Sequence, residues 1–423
     1  MQTSHIKLRL TVMNFLQFAV WGAYLTSMGR YLASAGFAEH IGSFYAMQGI
    51  VSLFMPALMG IVADRWVPAQ RLLGICHLLA GGLMFGLYFY TQSGSTLDYG
   101  TLFALYTLSV AFYMPTLALS NSVAYTSLEQ AGMDLVKSFP PIRVFGTVGF
   151  ICTMISVSLL GVESTSGQFA VSAMLGLIQA LYSWTLPHCP TAPKGESKGL
   201  VEALGLRAFV LFRQRKMALF FIFSMLLGVS LQITNGFANP FISTFGEIPA
   251  YAETFGVKYA NILISLSQLS ETLCILLIPF ALRRFGIKNV MLIAMVAWVL
   301  RFGLLGLGDP GSGVWLFLLS MIVYGVAFDF FNVSGSLFVD KETDPSIRSS
   351  AQGLFMIMTN GIGATLGSLG AQAVVNHYVY SEHDAHAMLA GWSVSWYIFA
   401  AYAAVVALLF ALLFRYKGDV AGA

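Results

Sequence analysis

Charge is scarce in this sequence. Only 10% of its 423 residues are Asp, Glu, Lys or Arg, against 57% apolar residues and a mean hydropathy of +0.75. Soluble domains carry roughly 25% charged residues, because their surfaces must be wetted. Too little charge is present to coat a soluble body of this length, which excludes a soluble enzyme, a nucleic-acid module and a disordered scaffold. The net charge of +3 is too small to imply a polyanionic partner, so no nucleic acid is expected. Cysteine is sparse too. Cys76, Cys152, Cys189 and Cys274 show no paired spacing, so neither a disulfide framework nor a zinc site is expected. The chain also lacks a Gly-x-x-x-x-Gly-Lys-Ser/Thr loop, a His-Glu-x-x-His pair and a Gly-x-Ser-x-Gly elbow. No catalytic residue, metal or cofactor is therefore expected, and any uphill work must be driven by an ion gradient.

What the chain has instead is apolar length. Its 34 Phe, 41 Gly and 19 Met suit helices packed in lipid, where small residues let backbones approach closely. A membrane span needs about 20 mostly apolar residues. Twelve stretches qualify, at approximately 9–29, 41–62, 72–92, 101–123, 142–161, 168–186, 217–240, 259–282, 288–308, 313–337, 350–376 and 391–414. The first has a basic flank, Lys7 and Arg9, but no small-residue cleavage site follows, so it reads as a retained span. The longest polar interval follows the sixth stretch and holds Pro187, Pro190, Pro193, Gly195 and Gly199, then a short amphipathic run from Leu200 to Phe212. The expected fold is an all-α polytopic membrane protein of twelve transmembrane helices in two six-helix bundles. These cover residues 1–186 and 217–423, joined by a linker over 187–216.

Lys and Arg collect in cytoplasmic loops. With the N-terminus inside, the loop cations from Lys7 and Arg9 to Arg415 and Lys417 fall on the inner side, and only Arg30 and Lys258 fall outside. Both termini are expected in the cytoplasm. The halves also echo one another. Gly60-Ile61-Val62-Ala63-Asp64-Arg65-Trp66, with Arg71 beyond, matches Arg283-Arg284-Phe285-Gly286-Ile287-Lys288 in position, and Arg143 stands to Phe150 as Arg348 stands to Phe355. Such echoes in a six-plus-six layout point to parallel repeats of the major-facilitator kind.

Ionisable groups inside a bilayer cost at least about 2.5–3.5 kcal/mol, so they face protein or water. Four stand out: Arg143, Glu271, Arg301 and Asp329. Helical spacing places Gln268 on the face of Glu271, Asn332 and Ser336 on that of Asp329, and Thr147 on that of Arg143. Tyr324 and Phe328 flank Asp329, Gln232, Asn235 and Asn239 share a face in the seventh span, and Asn14, Gln17 and Trp21 share one in the first. Each admits a plainer role. A lone amide serves as interhelical glue as readily as it contacts a ligand. Arg301 serves equally as a structural counter-ion, Arg143 as a snorkelling side chain and the aromatics as packing. Acids, amides and aromatics together suit a ligand with several hydroxyls and a planar heteroaromatic ring. By themselves they reach only a polar, uncharged solute, sugars and peptides included.

Other patterns carry less. Asp340-Lys341-Glu342-Thr343 is a short charged loop, Asn332-Val333-Ser334 is a glycosylation pattern inside an expected span, and His377, His383 and His386 read as a solvated loop.

Several long strings inside the spans are distinctive. They are Phe139-Pro140-Pro141-Ile142-Arg143 continuing to Gly149-Phe150, Leu231-Gln232-Ile233-Thr234-Asn235, and Tyr324-Gly325-Val326-Ala327-Phe328-Asp329-Phe330-Phe331-Asn332. With Phe15-Leu16-Gln17-Phe18, Trp21-Gly22 and the run Ser349 to Gly353, they make nearly the whole chain resemble the bacterial nucleoside:proton symporters, the nucleoside permease family of the major facilitator superfamily. The resemblance implies nucleoside uptake across the inner membrane driven by inward proton movement, with no cofactor. Its cavity, carried over by motif, implies substrate contacts from Arg143, Thr147, Phe150, Gln232, Asn235, Gln268, Glu271, Tyr324, Phe328 and Asp329.

The mechanism expected on this reading is alternating access between the two bundles. Asp329 or Glu271 takes the proton, since desolvation raises a carboxylate pKa, and Arg143 couples proton to substrate. Asp64, Arg65 and Arg71 latch a cytoplasmic gate, and the protein works as a monomer in the lipid bilayer. The rival readings are a proton-coupled transporter of another polar uncharged solute such as a sugar, and a non-transporting membrane receptor.

Overall fold

A computed structural model describes residues 3–94, 96–191, 206–344 and 347–416. The middle of the expected linker, with Pro193, Lys194, Gly195, Lys198 and Gly199, lies outside the described residues, as does Lys417. Among the described residues the secondary structure is helical, with no strand. The chain divides into two compact units: Met1–Tyr31 with Ile50–Leu204, and Leu32–Gly49 with Gly205–Ala423.

The first unit is built on α1 (Thr3–Gly22), the start of α2 (Met28–Ser34), the end of α3 (Ile41–Ser52), α4 (Met55–Arg65), α5 (Ala69–Gln92), α6 (Tyr99–Gln130), α7 (Leu135–Leu159) and α8 (Gly167–Ser183). The unit boundary falls within α2 and within α3. Local chemistry sets the ends. Pro56 sits in the first turn of α4, where its missing N–H costs nothing. Asp98 caps α6 by accepting the Thr101 N–H at 2.8 Å. Gly161, at φ +67°, follows the end of α7 in a conformation that other residues resist. α1 and α7 approach so closely that a Cβ on Gly149 would collide with the Phe15 carbonyl. This is the small-residue contact that lipid-embedded helices use.

The second unit contains α9 (Arg215–Leu231), α10 (Ile233–Thr244), α11 (Ala260–Ile275), α12 (Ile278–Leu307), α13 (Val314–Glu342), α14 (Arg348–Met356), α15 (Ala364–Tyr378) and α16 (Ala385–Leu413). A π-helical segment, Ile357–Gly363, joins α14 to α15. Of the expected amphipathic run Leu200 to Phe212, residues 200–205 lie outside the described residues, and the rest falls in a 3-10 helix, Leu206–Arg213. Gly286, at φ 75°, breaks α12 inside the Arg283-Arg284-Phe285-Gly286 motif, at the place where a loop was expected. The segment Leu32–Gly49, expected within the first bundle, groups with this unit. Gln372 holds it, accepting from the Gly42 N–H and donating to the Ala38 carbonyl.

Nine helical segments among the described residues are long and apolar enough to cross a membrane. The three expected stretches outside that set, 9–29, 168–186 and 259–282, begin on α1, α8 and α11. Helices of both units carry exposed large apolar residues, among them Leu78, Phe89 and Leu181 in the first and Phe280, Leu300 and Leu408 in the second. Apolar side chains on the outside of a well-packed helical body are what a lipid solvent permits.

Candidate substrate and proton site

In the first unit the site residues ride on α7. This helix starts at Leu135, seven residues before the expected span, so Arg143 stands more than two turns inside it. The Arg143 guanidinium lies 4.0 Å from the centroid of the Phe18 ring on α1, a cation–π contact that orients it. Thr147, one turn on, is half-buried, and Phe150 is buried against Trp21, edge to face at 6.3 Å. Beneath them runs a chain of hydrogen bonds. His77 Nε2 lies 2.8 Å from Gln17 Oε1, Gln17 Nε2 donates to Thr116 Oγ1 at 2.7 Å, and the Tyr113 hydroxyl donates to the Gln17 carbonyl at 2.7 Å. Tyr113 in turn packs on Trp21. His77, fully buried within the stretch 72–92, is a fifth ionisable side chain inside the spans besides Arg143, Glu271, Arg301 and Asp329.

In the second unit the helical run from Arg215 breaks at Gln232, which ends α9 and begins α10. Asn235 Nδ2 donates to Gln232 Oε1 at 2.9 Å, so the two amides form one half-buried group beside the break. Asn239, on the same face, is spent on packing: its Nδ2 donates to Asn261 Oδ1 at 2.9 Å in full burial. Ser336 is similarly used, pairing with Gln352 between α13 and α14.

α11 and α13 touch through Gly325, where any Cβ would strike the Ser270 backbone and side chain. Ser270 Oγ donates to the Ile322 carbonyl across the same contact. This close approach sets Glu271 of α11 beside Tyr324 of α13. Tyr324 lies within electrostatic reach of Glu271, Asp329 and Arg301. Its ring stacks on Phe328, with centroids 5.6 Å apart and planes 18° from parallel. Gln268, Glu271 and Phe328 are half-buried, and Asp329 and Tyr324 are buried. The second unit thus brings both carboxylates and the aromatic pair within electrostatic reach of one another, a meeting of two helices on which spacing within a single helix is silent.

Arg301, which the sequence leaves equally open to a counter-ion role, forms no ion pair among the described residues. Ser320, Ser267 and Tyr324 hold it instead. Asp64, Arg65 and Arg71 are exposed around the turn between α4 and α5. Among the described residues, no group of three or more His, Cys, Asp or Glu is placed to hold a metal ion.

With this geometry in view, comparison with known proteins is decisive. The family model described as "Nucleoside H+ symporter" matches residues 4–419. The chain belongs to the nucleoside H+ symporter family. It is 47% identical over 417 residues to the xanthosine permease of Escherichia coli K12, covering 98% of this chain and 97% of that protein. It is 46% identical over 416 residues to the nucleoside permease NupG of the same organism, with the same coverage. A crystal structure of the nucleoside transporter NupG superposes with a TM-score of 0.88 at 47% identity, covering 97% of this chain and all of that one. The xylose transporter XylE of E. coli, at 14% identity and a TM-score of 0.68, shares the fold alone. Membership in a nucleoside H+ symporter family makes the protein a transporter and not an enzyme.

Proposed function

We infer that this protein takes up nucleosides together with protons, by alternating access, as a monomer of twelve spans in the bacterial inner membrane with both termini in the cytoplasm. Membership in the nucleoside H+ symporter family carries the reading, and the Tyr324–Phe328 stack beside two carboxylates gives it chemistry. A nucleobase needs a flat apolar surface, and base–aromatic stacking contributes about 1–3 kcal/mol per base in other systems. Phe328 and Tyr324 offer that surface. Ribose hydroxyls donate well to carboxylates, and base edges pair with amides such as Gln232, Asn235 and Gln268. Arg143, Thr147 and Phe150 are the first unit's proposed contribution.

Proton coupling is assigned to Asp329 and Glu271, with Arg143 favouring the charged carboxylate. A carboxylate removed from water releases its proton only when a cation or a donor compensates, so occupancy of the site and protonation are linked. Asp64, Arg65 and Arg71 are the proposed cytoplasmic latch. Counterflow of labelled uridine and adenosine in proteoliposomes tests the assignment. Unlabelled nucleosides are expected to compete and sugars are not; competition by xylose with none by nucleosides would overturn it.

A further inference from the structure

Arg301 is 2% exposed and within hydrogen-bonding distance of three groups, yet among the described residues it meets no carboxylate. Its Nη1 donates to the Ser320 carbonyl at 2.9 Å and to Ser267 Oγ at 3.3 Å. Ser320 Oγ returns a bond to the Arg301 carbonyl at 3.0 Å, clasping α12 to α13. The guanidinium carbon lies 4.4 Å from the centroid of the Tyr324 ring. Trp298, one turn earlier on α12, meets the same ring edge to face at 5.9 Å. A buried cation is costly, and a helix clasp needs only neutral groups.

We propose that Arg301 is a positioning residue for nucleobase recognition: it fixes the Tyr324 ring, and through it the Phe328 face on which the base stacks. The Tyr324 ring is shared between the guanidinium and Phe328. A guanidinium suits this place because its rigid fork of donors is pre-organised to reach fixed acceptors while it lies over a ring, and an ammonium lacks that fork. The proposal rests on Tyr324 and Phe328 being base contacts.

The test uses full-length protein in proteoliposomes, with uridine counterflow measured for wild type, Arg301→Lys, Arg301→Gln, Ser267→Ala and Phe328→Ala. Both Arg301 variants are expected to raise KM about tenfold while Vmax per folded transporter stays within twofold, and the pH profile of Arg301→Lys, which keeps the charge, is expected to be unmoved. Ser267→Ala removes one acceptor of the clamp and keeps the charge, so about threefold is expected, and it serves if the Arg301 variants fail to fold. A raised KM for Phe328→Ala with unchanged KM for Ser267→Ala and the Arg301 variants overturns the positioning role alone. An unchanged KM for Phe328→Ala overturns the base-contact reading, and this proposal with it. A shifted pH profile in Arg301→Lys also overturns it, since a positioning residue leaves proton affinity alone.

A cavity of about 420 Å³ opens at one end of the second unit, lined by Arg215, Lys216, Leu219, Leu412, Leu413 and Arg415, among others. Lys216 is paired with Glu342, whereas neither Arg215 nor Arg415 has an acidic partner among the described residues. Leu412 and Leu413 are exposed on its lip, and the neighbouring helix Leu206–Arg213 exposes Phe209 and Val210. Excess cations above exposed hydrocarbon match a phosphate head above acyl chains. We propose that this cavity binds an anionic phospholipid.

Thermal unfolding of the purified full-length protein tests this with phosphatidylglycerol, phosphatidylcholine and inorganic phosphate in turn. Phosphatidylglycerol is expected to raise the midpoint by several degrees, with the other two near zero, and the Arg215→Gln/Arg415→Gln double variant is expected to lose the effect. Equal shifts from the two lipids, an equal shift from inorganic phosphate, or an intact response in the double variant would overturn the proposal.

Discussion

His77 Nε2 lies 2.8 Å from Gln17 Oε1, tying α5 to α1 in the interior of the first unit. Because the Gln17 amide nitrogen donates to Thr116, its oxygen faces His77 as an acceptor. His77 is therefore the donor, in the Nε2–H form. His77→Leu leaves that oxygen buried and unsatisfied, an expected loss of about 1–3 kcal/mol. His77→Gln, which restores a donor, is expected to lose less. Thermal unfolding in detergent compares the two; a leucine variant as stable as wild type would contradict the assignment.

Gly149 and Gly82 make a contrasting pair of helix glycines. A Cβ on Gly149 meets the Phe15 backbone, which cannot rotate away, whereas one on Gly82 meets open space. Gly149→Ala is expected to depress the yield of folded protein sharply. Gly82→Ala is expected to be neutral or stabilising by up to about 1 kcal/mol, through helix propensity. Size-exclusion profiles of the two variants provide the comparison.

Asp98 offers a pH-dependent test outside the spans. Its carboxylate accepts the Thr101 N–H and hydroxyl, which hold its pKa below the usual carboxylate value. A lowered folded pKa adds stability above the unfolded value and loses it as pH falls through the folded one. Asp98→Ala is thus expected to lower the melting midpoint at neutral pH, and the gap from wild type is expected to close in strong acid. A gap independent of pH would show that the charge is irrelevant.

Much of this arrangement was legible in the residues. Helical spacing placed Gln268 with Glu271, and Tyr324 and Phe328 with Asp329, and α11 and α13 carry them close together. Spacing cannot separate a ligand-facing amide from glue, because both lie on one helical face. Asn235 and Asn239 differ by a single turn, yet one pairs with Gln232 and the other is locked to Asn261. The surroundings of Arg301 were hidden for a related reason. Its partners are a carbonyl, a hydroxyl and a ring, and backbone acceptors leave no mark in a sequence. The grouping of Leu32–Gly49 with the second unit was hidden as well, since it depends on Gln372, far away in the chain.

Asp329 carries the central claim of proton coupling, and uptake of labelled uridine into proteoliposomes under an imposed inward proton gradient tests it most directly. Wild type is expected to accumulate uridine above the outside concentration and to acidify the lumen as it does so. Asp329→Asn is expected to abolish accumulation while retaining exchange of uridine across the membrane. An Asp329→Asn variant that still concentrates uridine and moves protons with it would contradict the account.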